Sequence, residues 1–293
     1  LKTQISHFDN SNTPTKNYGD PTYTTTDTSM KSDYNYNMRI DAAYINMANT
    51  KGKWGYQAGL RLENATYRGT TNIYSVLNYE NNFLNLFPTT YISYQVSPNQ
   101  TFYLSYSRRT NRPGFRDMMP FLDLSNPQDS SMGNPNLKPE EIYSAEITAE
   151  RRFVNGLARA SLFREDRYDA LISQTNLSPV GGSTSYVQNV DHVRIHGIEL
   201  ATELKDVMIP KLDVVANATL IDSEILKNDA APSYINKKVP RIPRQLYKAV
   251  ATYRISDDFT MSLAARYSGR QFIQLDNSDI NPETYAGASR SEE

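Results

Sequence analysis

The sequence predicts an all-β fold, an antiparallel transmembrane β-barrel to which this chain contributes about ten or eleven strands. Two observations support this prediction. Long segments alternate apolar and polar residues, and the connections between them are short and long by turns. Tight turns on one rim and long loops on the other are typical of up-and-down membrane barrels. Since no run of about 18 apolar residues occurs, a helical membrane span is not expected.

The strand segments are recognised by apolar side chains at every second position. Most apolar faces have aromatic residues near an end and small or aliphatic residues further in, as expected for girdles around a hydrocarbon band. The opposite faces carry Ser, Thr, Gln, Glu and Arg, which suits a wet lumen. In chain order the apolar faces are Trp54, Tyr56, Ala58, Leu60 and Leu62; Phe102, Leu104 and Tyr106; Tyr143, Ala145, Ile147 and Ala149; Leu212, Val214, Ala216, Ala218 and Leu220; Tyr247, Ala249, Ala251, Tyr253 and Ile255; and Phe259, Met261, Leu263, Ala265 and Tyr267.

The connections form two classes that alternate strictly along the chain. The short class is rich in turn-forming residues and is assigned to the periplasmic rim, and the long class is assigned to the extracellular rim. The predicted short turns are 49–53, 97–100, 153–156, 206–210 and 256–258, and the predicted long loops are about 10–33, 68–84, 111–140, 174–185 and 227–243. Eleven strands fit this scheme, counting a partial first one. Because bacterial barrels have even strand numbers, the chain is expected to be one portion of a larger barrel.

Composition excludes several other classes of protein. The chain has no cysteine, which rules out a disulfide framework and a thiolate zinc site. With 31 basic and 32 acidic residues, there is no electrostatic case for a nucleic-acid partner. The chain starts at Leu1 without a signal-peptide pattern and ends in the polar run ASRSEE, so both ends are expected to be truncations. A soluble β-sandwich or β-solenoid is the alternative, but segments much longer than about six residues favour the membrane barrel.

Four short motifs add information about the family. SYSRRTNRPGF at 105–115 leads into the longest loop, and GNPNLKPE at 133–140 leads out of it. YVQNVDHVRIHGIEL at 186–200 and SGRQF at 268–272 lie further along. Together they resemble the barrel domain of TonB-dependent outer-membrane receptors, in the variant of the outer membrane protein beta-barrel family common in Bacteroidota.

The resemblance implies a barrel of about 22 strands in the bacterial outer membrane, with residues 1–293 as its C-terminal portion. It implies outer-membrane lipid as surroundings, and a plug domain and TonB as partners in the full-length protein. The ligand would be a scarce small molecule, such as an iron chelate, cobalamin, a glycan or a peptide, taken up with TonB-derived energy. The plug domain, the TonB box and a terminal strand ending in an aromatic residue are not recognised in this sequence. A non-transport outer-membrane barrel with a structural or adhesive role is the alternative function.

The GNPNLKPE motif is interpreted as a rigid return segment from the loop to the barrel wall. Gly133 permits a positive φ, and Pro135 and Pro139 fix φ and bias the residues before them toward extended geometry. Glu140 then begins the strand. Direct contact of this motif with ligand is the alternative interpretation. Residues 239–245, VPRIPRQ, are expected to form a second return segment.

Arginines cluster where a strand meets the longest loop, at Arg108, Arg109, Arg112 and Arg116. Guanidinium groups bind carboxylates and phosphates in a bidentate manner. The candidate ligand-binding residues are therefore Arg109, Arg112 and Arg116, for an anionic ligand or a lipopolysaccharide phosphate. The alternative is ion pairing within the barrel, with Glu146, Glu150 and Asp123.

No chemistry of an enzyme or metalloprotein is recognised in the sequence. His192 and His196 have the spacing of a helical zinc pair, but in a strand they would lie about 13 Å apart, so neither a metal site nor a cofactor is expected. No serine–histidine–acid set and no glycine-rich phosphate loop stands out, so an enzyme is not expected. An outer-membrane phospholipase would need a Ser–His pair projecting outward together, which is not found.

Overall fold

A computed structural model of the chain describes residues 2–12, 15–17, 24–26, 32–71, 77–120, 122–123, 128–177 and 182–277. Among the described residues, helical structure is limited to two short 3-10 turns, Arg116–Met118 and Pro232–Tyr234. The strands are β1 (Lys2–Asn12), β2 (Thr15–Asn17), β3 (Thr24–Thr26), β4 (Ser32–Lys51), β5 (Trp54–Thr71), β6 (Leu77–Ser97), β7 (Gln100–Asn111), β8 (Leu122–Asp123), β9 (Asp129–Met132), β10 (Glu140–Phe153), β11 (Gly156–Leu177), β12 (Ser183–Leu204), β13 (Leu212–Lys227), β14 (Gln245–Arg254) and β15 (Thr260–Ser268).

The long strands form one antiparallel meander in the order β1-β4-β5-β6-β7-β10-β11-β12-β13-β14-β15. These eleven strands follow each other in the sheet as they do along the chain, which confirms the predicted up-and-down order. The short strands belong to the long connections: β2 pairs with β3, β8 pairs with β9, and β9 pairs in parallel with β12. No helix in the described ranges has the length and apolar character required to span a membrane.

The predicted tight turns are confirmed, but the predicted bounds of two long loops, 68–84 and 174–185, are wrong. β5 continues to Thr71 and β6 begins at Leu77, so the strands extend through most of the predicted loop 68–84. β11 and β12 likewise extend into the predicted loop 174–185. The ends of β5, β11 and β12 in these ranges are mainly polar on both faces and lack the apolar alternation by which strands are recognised. The start of β6 does alternate, with Tyr79 and Phe83 on one face, and the prediction missed this signal. The loops 111–140 and 227–243 are confirmed, and much of 10–33 lies outside the described residues.

The apolar residues predicted to face lipid are on the surface of the sheet. Leu60, Leu104, Ile147 and Leu263 are 43%, 45%, 55% and 72% exposed. Register places some of them side by side: Leu104 pairs with Ile147, Ile147 with Leu162, Leu162 with Ile198, and Ile198 with Leu220. This row of large aliphatic side chains, each exposed, runs across five strands and forms part of one apolar band. The opposite face carries the polar residues of the lumen.

The longest loop folds back onto the lumen face of β4 and β5. Its 3-10 turn buries Met118 and Met119 in a cluster, called here the loop cluster, with Tyr34, Tyr36, Ile40, Ala65 and Tyr67. The Phe115 ring lies 5.3 Å from the ring of Tyr34 and 5.9 Å from that of Tyr36, and the Tyr34 hydroxyl donates to the Met118 carbonyl at 3.4 Å. Because β9 pairs with β12, the loop reaches strands on both sides of the β7–β10 pair from which it departs.

The return segment at 133–140 needs its glycine for a different reason than predicted. Gly133 does not have a positive φ; among the described glycines only Gly52 and Gly182 do. A Cβ at position 133 would instead lie 2.5 Å from both the backbone nitrogen and the carbonyl oxygen of Met119. Glycine is therefore required for close approach of two backbone segments, which links the return segment to the loop cluster.

Contacts of the first return segment support its structural interpretation. Asn189 of β12 accepts a hydrogen bond from the Lys138 nitrogen at 2.9 Å and donates to the Lys138 carbonyl at 3.0 Å. Leu137 is only 1% exposed, and Glu140 accepts a hydrogen bond from the Asn111 amide at 3.0 Å. The segment is thus held on the wall at both its middle and its end.

The second return segment, 239–245, is fixed in a similar way. Val239 is buried in a cluster with Ile225 and Leu275. The backbone nitrogen of Arg241 donates to the Phe272 carbonyl at 2.7 Å, so this segment pairs with the SGRQF motif. The Arg244 carbonyl accepts from the Ile221 nitrogen at 2.9 Å, which returns the chain to the sheet beside β13.

Candidate functional site

A cavity of about 440 Å³ opens on the lumen face of β4 to β7. Strand alternation explains part of its composition, because residues of one parity on each strand, such as Glu63 and Arg109, point to the lumen side of the sheet. Arg108 and Thr110 have the opposite parity and reach the cavity where the pairing of β6 with β7 has ended. Polar and aromatic side chains therefore converge there from four neighbouring strands. The lining includes Tyr44, Asn46, Arg61, Glu63, Phe87, Thr89, Arg108, Arg109, Thr110 and Arg112.

A carboxylate held by two arginines forms one wall of the cavity. Glu63 is 7% exposed, and its Oε1 lies 2.5 Å from Nε of Arg61. Its other oxygen pairs with Arg112, which reaches it from beyond the end of β7. Since one negative charge neutralises only one of two guanidinium groups, this wall keeps a surplus positive charge.

Arg109 occupies the adjacent part of the cavity and pairs with a carboxylate two strands away. Its NH2 lies 2.6 Å from Oε2 of Glu165, while 58% of the Arg109 side chain remains exposed. Glu165 also pairs with Arg167 and accepts a hydrogen bond from the Ser144 hydroxyl at 3.2 Å. Arg109 therefore keeps donors available toward the lumen.

The ion-pair partners differ from those that the sequence suggested. Glu150, proposed as a partner of the loop arginines, pairs with Arg152 at 3.1 Å and Arg159 at 2.8 Å. Glu146 lies opposite Ser105 in the register of β7 and β10, which is four residues and about 13 Å along the strand from Arg109. The ion-pair partners are decided by strand register, and the alternation of apolar and polar residues in the sequence does not reveal that register.

Arg108 connects neighbouring strands of the wall. Backbone pairing of β6 with β7 ends at Thr89 and Ser107. Beyond that point the Arg108 guanidinium donates to the Leu86 carbonyl at 3.0 Å and pairs with Glu141 at 2.7 Å. The side chain thereby closes the gap between the two strands.

Of the three predicted ligand-binding arginines, the structure brings two together. Arg109 and Arg112 line the cavity, whereas Arg116 is exposed in the 3-10 turn and is not part of the lining. Arg61 and Glu63 were not predicted as site residues. Their position on the polar face of the segment 54–63 was the available signal, because that face was predicted to point into the lumen.

The loop cluster adjoins the cavity on the same face of β4 and β5. Ala65 follows Glu63 at the next inward position, and Ile40 and Ala42 are their register partners. Burial raises the pKa of the Tyr34 and Tyr36 hydroxyls above the ordinary value of 10.0, so both stay neutral at physiological pH. The cavity is therefore flanked by a buried, uncharged aromatic cluster contributed by the wall and the loop.

His192 and His196 do not form a common site. His192 bonds to Asp166 at 2.9 Å and stacks on the ring of Tyr168 with centroids 4.3 Å apart. His196 is opposite Asp222 in the register of β12 and β13. In the described part of the chain, no group of three His, Asp or Glu side chains has an arrangement that would hold a metal ion.

Comparison with known proteins gives a consistent result. A sequence profile of the "Outer membrane protein beta-barrel family" matches residues 1–282. A curated protein of Acinetobacter baumannii, "Probable TonB-dependent siderophore receptor PiuA", is 23% identical over 202 residues, which are 65% of this chain and 25% of that protein.

Solved structures resemble the fold at low sequence identity. The crystal structure of the siderophore receptor PiuA from Acinetobacter baumannii has a TM-score of 0.64 and 19% identity, covering 87% of this chain and 36% of PiuA. The ferric yersiniabactin uptake receptor FyuA from Yersinia pestis has a TM-score of 0.63 and 15% identity, covering 94% of this chain and 40% of FyuA. The chain thus spans between a quarter and two fifths of the length of these relatives.

Proposed function

Because the chain belongs to the outer membrane protein beta-barrel family, we propose that it forms the C-terminal barrel wall of a receptor that takes up a scarce ligand. The chain lies in the bacterial outer membrane as an antiparallel transmembrane β-sheet. In this proposal the eleven-strand meander is about half of a barrel of about 22 strands. The remaining wall, a plug domain and a TonB box belong to the full-length protein, and TonB supplies the energy for uptake.

The cationic cavity on the lumen face is the observation that carries the proposal. Arg61 and Arg112 both pair there with the wall carboxylate of Glu63. Arg109 lines the same cavity, pairs with Glu165 and is largely exposed. Guanidinium groups recognise carboxylate and similar oxygen anions with paired hydrogen bonds. An anionic iron chelate therefore fits better than a neutral glycan, cobalamin or a cationic peptide.

Two further features support uptake of such a ligand. PiuA and FyuA, the relatives that share this fold, are named as siderophore or ferric-chelate receptors. Arg116 is exposed on the loop outside the cavity, where it would attract an anion before it reaches Arg109 and Arg112.

Replacing both cavity arginines, Arg109→Gln with Arg112→Gln, is expected to weaken chelate binding about 100-fold or more. Each charge-assisted hydrogen bond contributes about 1.5–3 kcal/mol, so two lost contacts account for this factor. The measurement is calorimetric titration of the purified full-length protein with ferric citrate, a ferric catecholate and a ferric hydroxamate, each tested alone. Arg116→Gln is expected to change affinity only about twofold or threefold.

Arg68→Gln is the matched control, because Arg68 is an exposed arginine in a surface pair with Glu80, at 3.0 Å, and is outside the cavity. It should leave binding unchanged. Deletion of the gene should abolish growth on one of these chelates as the sole iron source. If no chelate binds and deletion changes only adhesion or envelope integrity, the transport proposal is wrong and the structural or adhesive role is preferred.

A further inference from the structure

The lipid-facing wall of β10 to β15 contains a trough of about 770 Å³. Cross-strand register aligns small side chains in one row, because Ala158 pairs with Thr202, Thr202 with Ala216, Ala216 with Ala249, and Ala249 with Ala265. Alanine projects only a methyl group, so this row lies lower than its surroundings. It spans six strands including β10, or about 24 Å at the usual strand spacing.

Larger apolar side chains border the row on both sides. The neighbouring register row toward the extracellular rim carries Leu200, Tyr247 and Tyr267 on the same outward face. In the same row, Ala149, Ala160 and Ala218 widen the trough. The row toward the periplasmic rim includes Phe153 and Leu263. The trough is therefore a shaped depression in the apolar band, long enough for an acyl chain of one leaflet, about half of the 30 Å hydrocarbon core.

A cation lies at one end of this row. Arg151 is the register partner of Ala158 and shares its outward face, and its guanidinium carbon lies 5.7 Å from the centroid of the Phe153 ring. Within the described ranges no carboxylate is in ion-pair distance of Arg151, whereas the next residue, Arg152, pairs with Glu150 on the lumen face. Arg151 is close to the tight turn at 154–155, where the periplasmic head groups of the bilayer begin.

We propose that this trough is a binding site for one glycerophospholipid of the periplasmic leaflet. An acyl chain lies along the alanine row, and the lipid phosphate pairs with Arg151. In such a lipid the apolar tail and the charged phosphate lie at different depths of the bilayer. The apolar trough and Arg151 are arranged in the same way, with the cation at the level of the head groups. A phosphate also provides the anion that Arg151 lacks. Lipopolysaccharide is excluded as occupant because it belongs to the opposite leaflet from this rim.

The test is native mass spectrometry of the purified full-length protein, titrated with phosphatidylglycerol in detergent. The unmodified protein is expected to retain one lipid. The triple variant Ala158→Leu, Ala216→Leu and Ala249→Leu fills the trough with apolar side chains and should weaken retention about tenfold or more. Arg151→Gln removes the phosphate partner and should weaken it about fivefold.

Matched controls separate this site from nonspecific lipid contact. Ala58→Leu makes the same type of substitution at one position on the outward face of β5, outside the trough, and is compared with Ala216→Leu alone. Arg254→Gln removes an arginine from the end of β14 that pairs with Asp213. Both should retain lipid like the unmodified protein. If the control variants lose bound lipid as much as the trough variants do, or if the triple variant retains its lipid, the proposal is wrong. It is also wrong if the triple variant loses a protein dimer instead of a bound lipid in the mass spectra. These readouts do not depend on chelate binding, so they are independent of the proposed function.

Discussion

Leu104→Arg is expected to destabilise the barrel by about 2–4 kcal/mol and to deplete it from the outer membrane. Leu104 is exposed on the outward face and stands beside Ile147 in the row of large aliphatic side chains. A guanidinium at this depth would have to lose its hydration without gaining a partner, because its neighbours in the row are hydrocarbon. The loss should be measured by urea unfolding of the refolded full-length protein in micelles and by its amount in outer-membrane fractions.

The adjacent residue provides the control for this prediction. Ser105→Arg places the same charge one position along β7, on the lumen face, opposite Glu146. There the arginine has water and a carboxylate nearby, and the free energy of unfolding should change by less than about 1 kcal/mol. Equal destabilisation by both substitutions would contradict the assignment of the two faces.

Tyr36→Ala is expected to destabilise the extracellular part of the wall by about 3–5 kcal/mol. Tyr36 is 2% exposed at the centre of the loop cluster, where its ring lies 6.5 Å from that of Tyr67 and 5.9 Å from that of Phe115. Removing it leaves a cavity between β4, β5 and the loop. The loop at 112–120 should then open more often and become sensitive to protease.

Limited proteolysis and thermal unfolding in detergent are the measurements for this variant. Tyr44→Ala is the matched control, since Tyr44 is on the same strand and the same face but is 58% exposed and outside the loop cluster. Cleavage in the loop should accelerate in Tyr36→Ala and not in Tyr44→Ala. Identical cleavage rates in the two variants would show that the loop is not held by the aromatic cluster.

The strand faces were predictable because a barrel wall between lipid and water imposes a period of two on the sequence. That rule weakens above the membrane, where both faces of a strand meet water or polar loops. Arg68 and Glu80 were therefore assigned to a loop, although they are register partners and their side chains pair across β5 and β6. Backbone pairing continues there although β5 beyond Tyr67 has no apolar signal, and the signal of Tyr79 and Phe83 in β6 was missed.

The candidate site was predictable only in part, and for a related reason. Arg109 and Arg112 were identified from local clustering, whereas their partners Glu165 and Glu63 are 56 and 49 residues away along the chain. Such pairs depend on strand register, which is set by turns and bulges elsewhere. Gly133 shows the same limit, because the backbone of Met119 that it accommodates is brought near by folding of the loop.

The assignment of one sheet face to lipid and the other to the lumen is tested most directly by measuring which solvent contacts each face. Single spin labels can be introduced at Leu104→Cys, Leu162→Cys, Ser105→Cys and Ser161→Cys in bilayers, because these 293 residues contain no cysteine of their own; any cysteine elsewhere in the full-length protein is replaced by serine. Labels at the two leucine positions are expected to collide with oxygen dissolved in the membrane, and labels at the two serine positions with a water-soluble nickel chelate. Leucine-position labels shielded from both reagents would reveal a dry protein interior and contradict a membrane-facing wall.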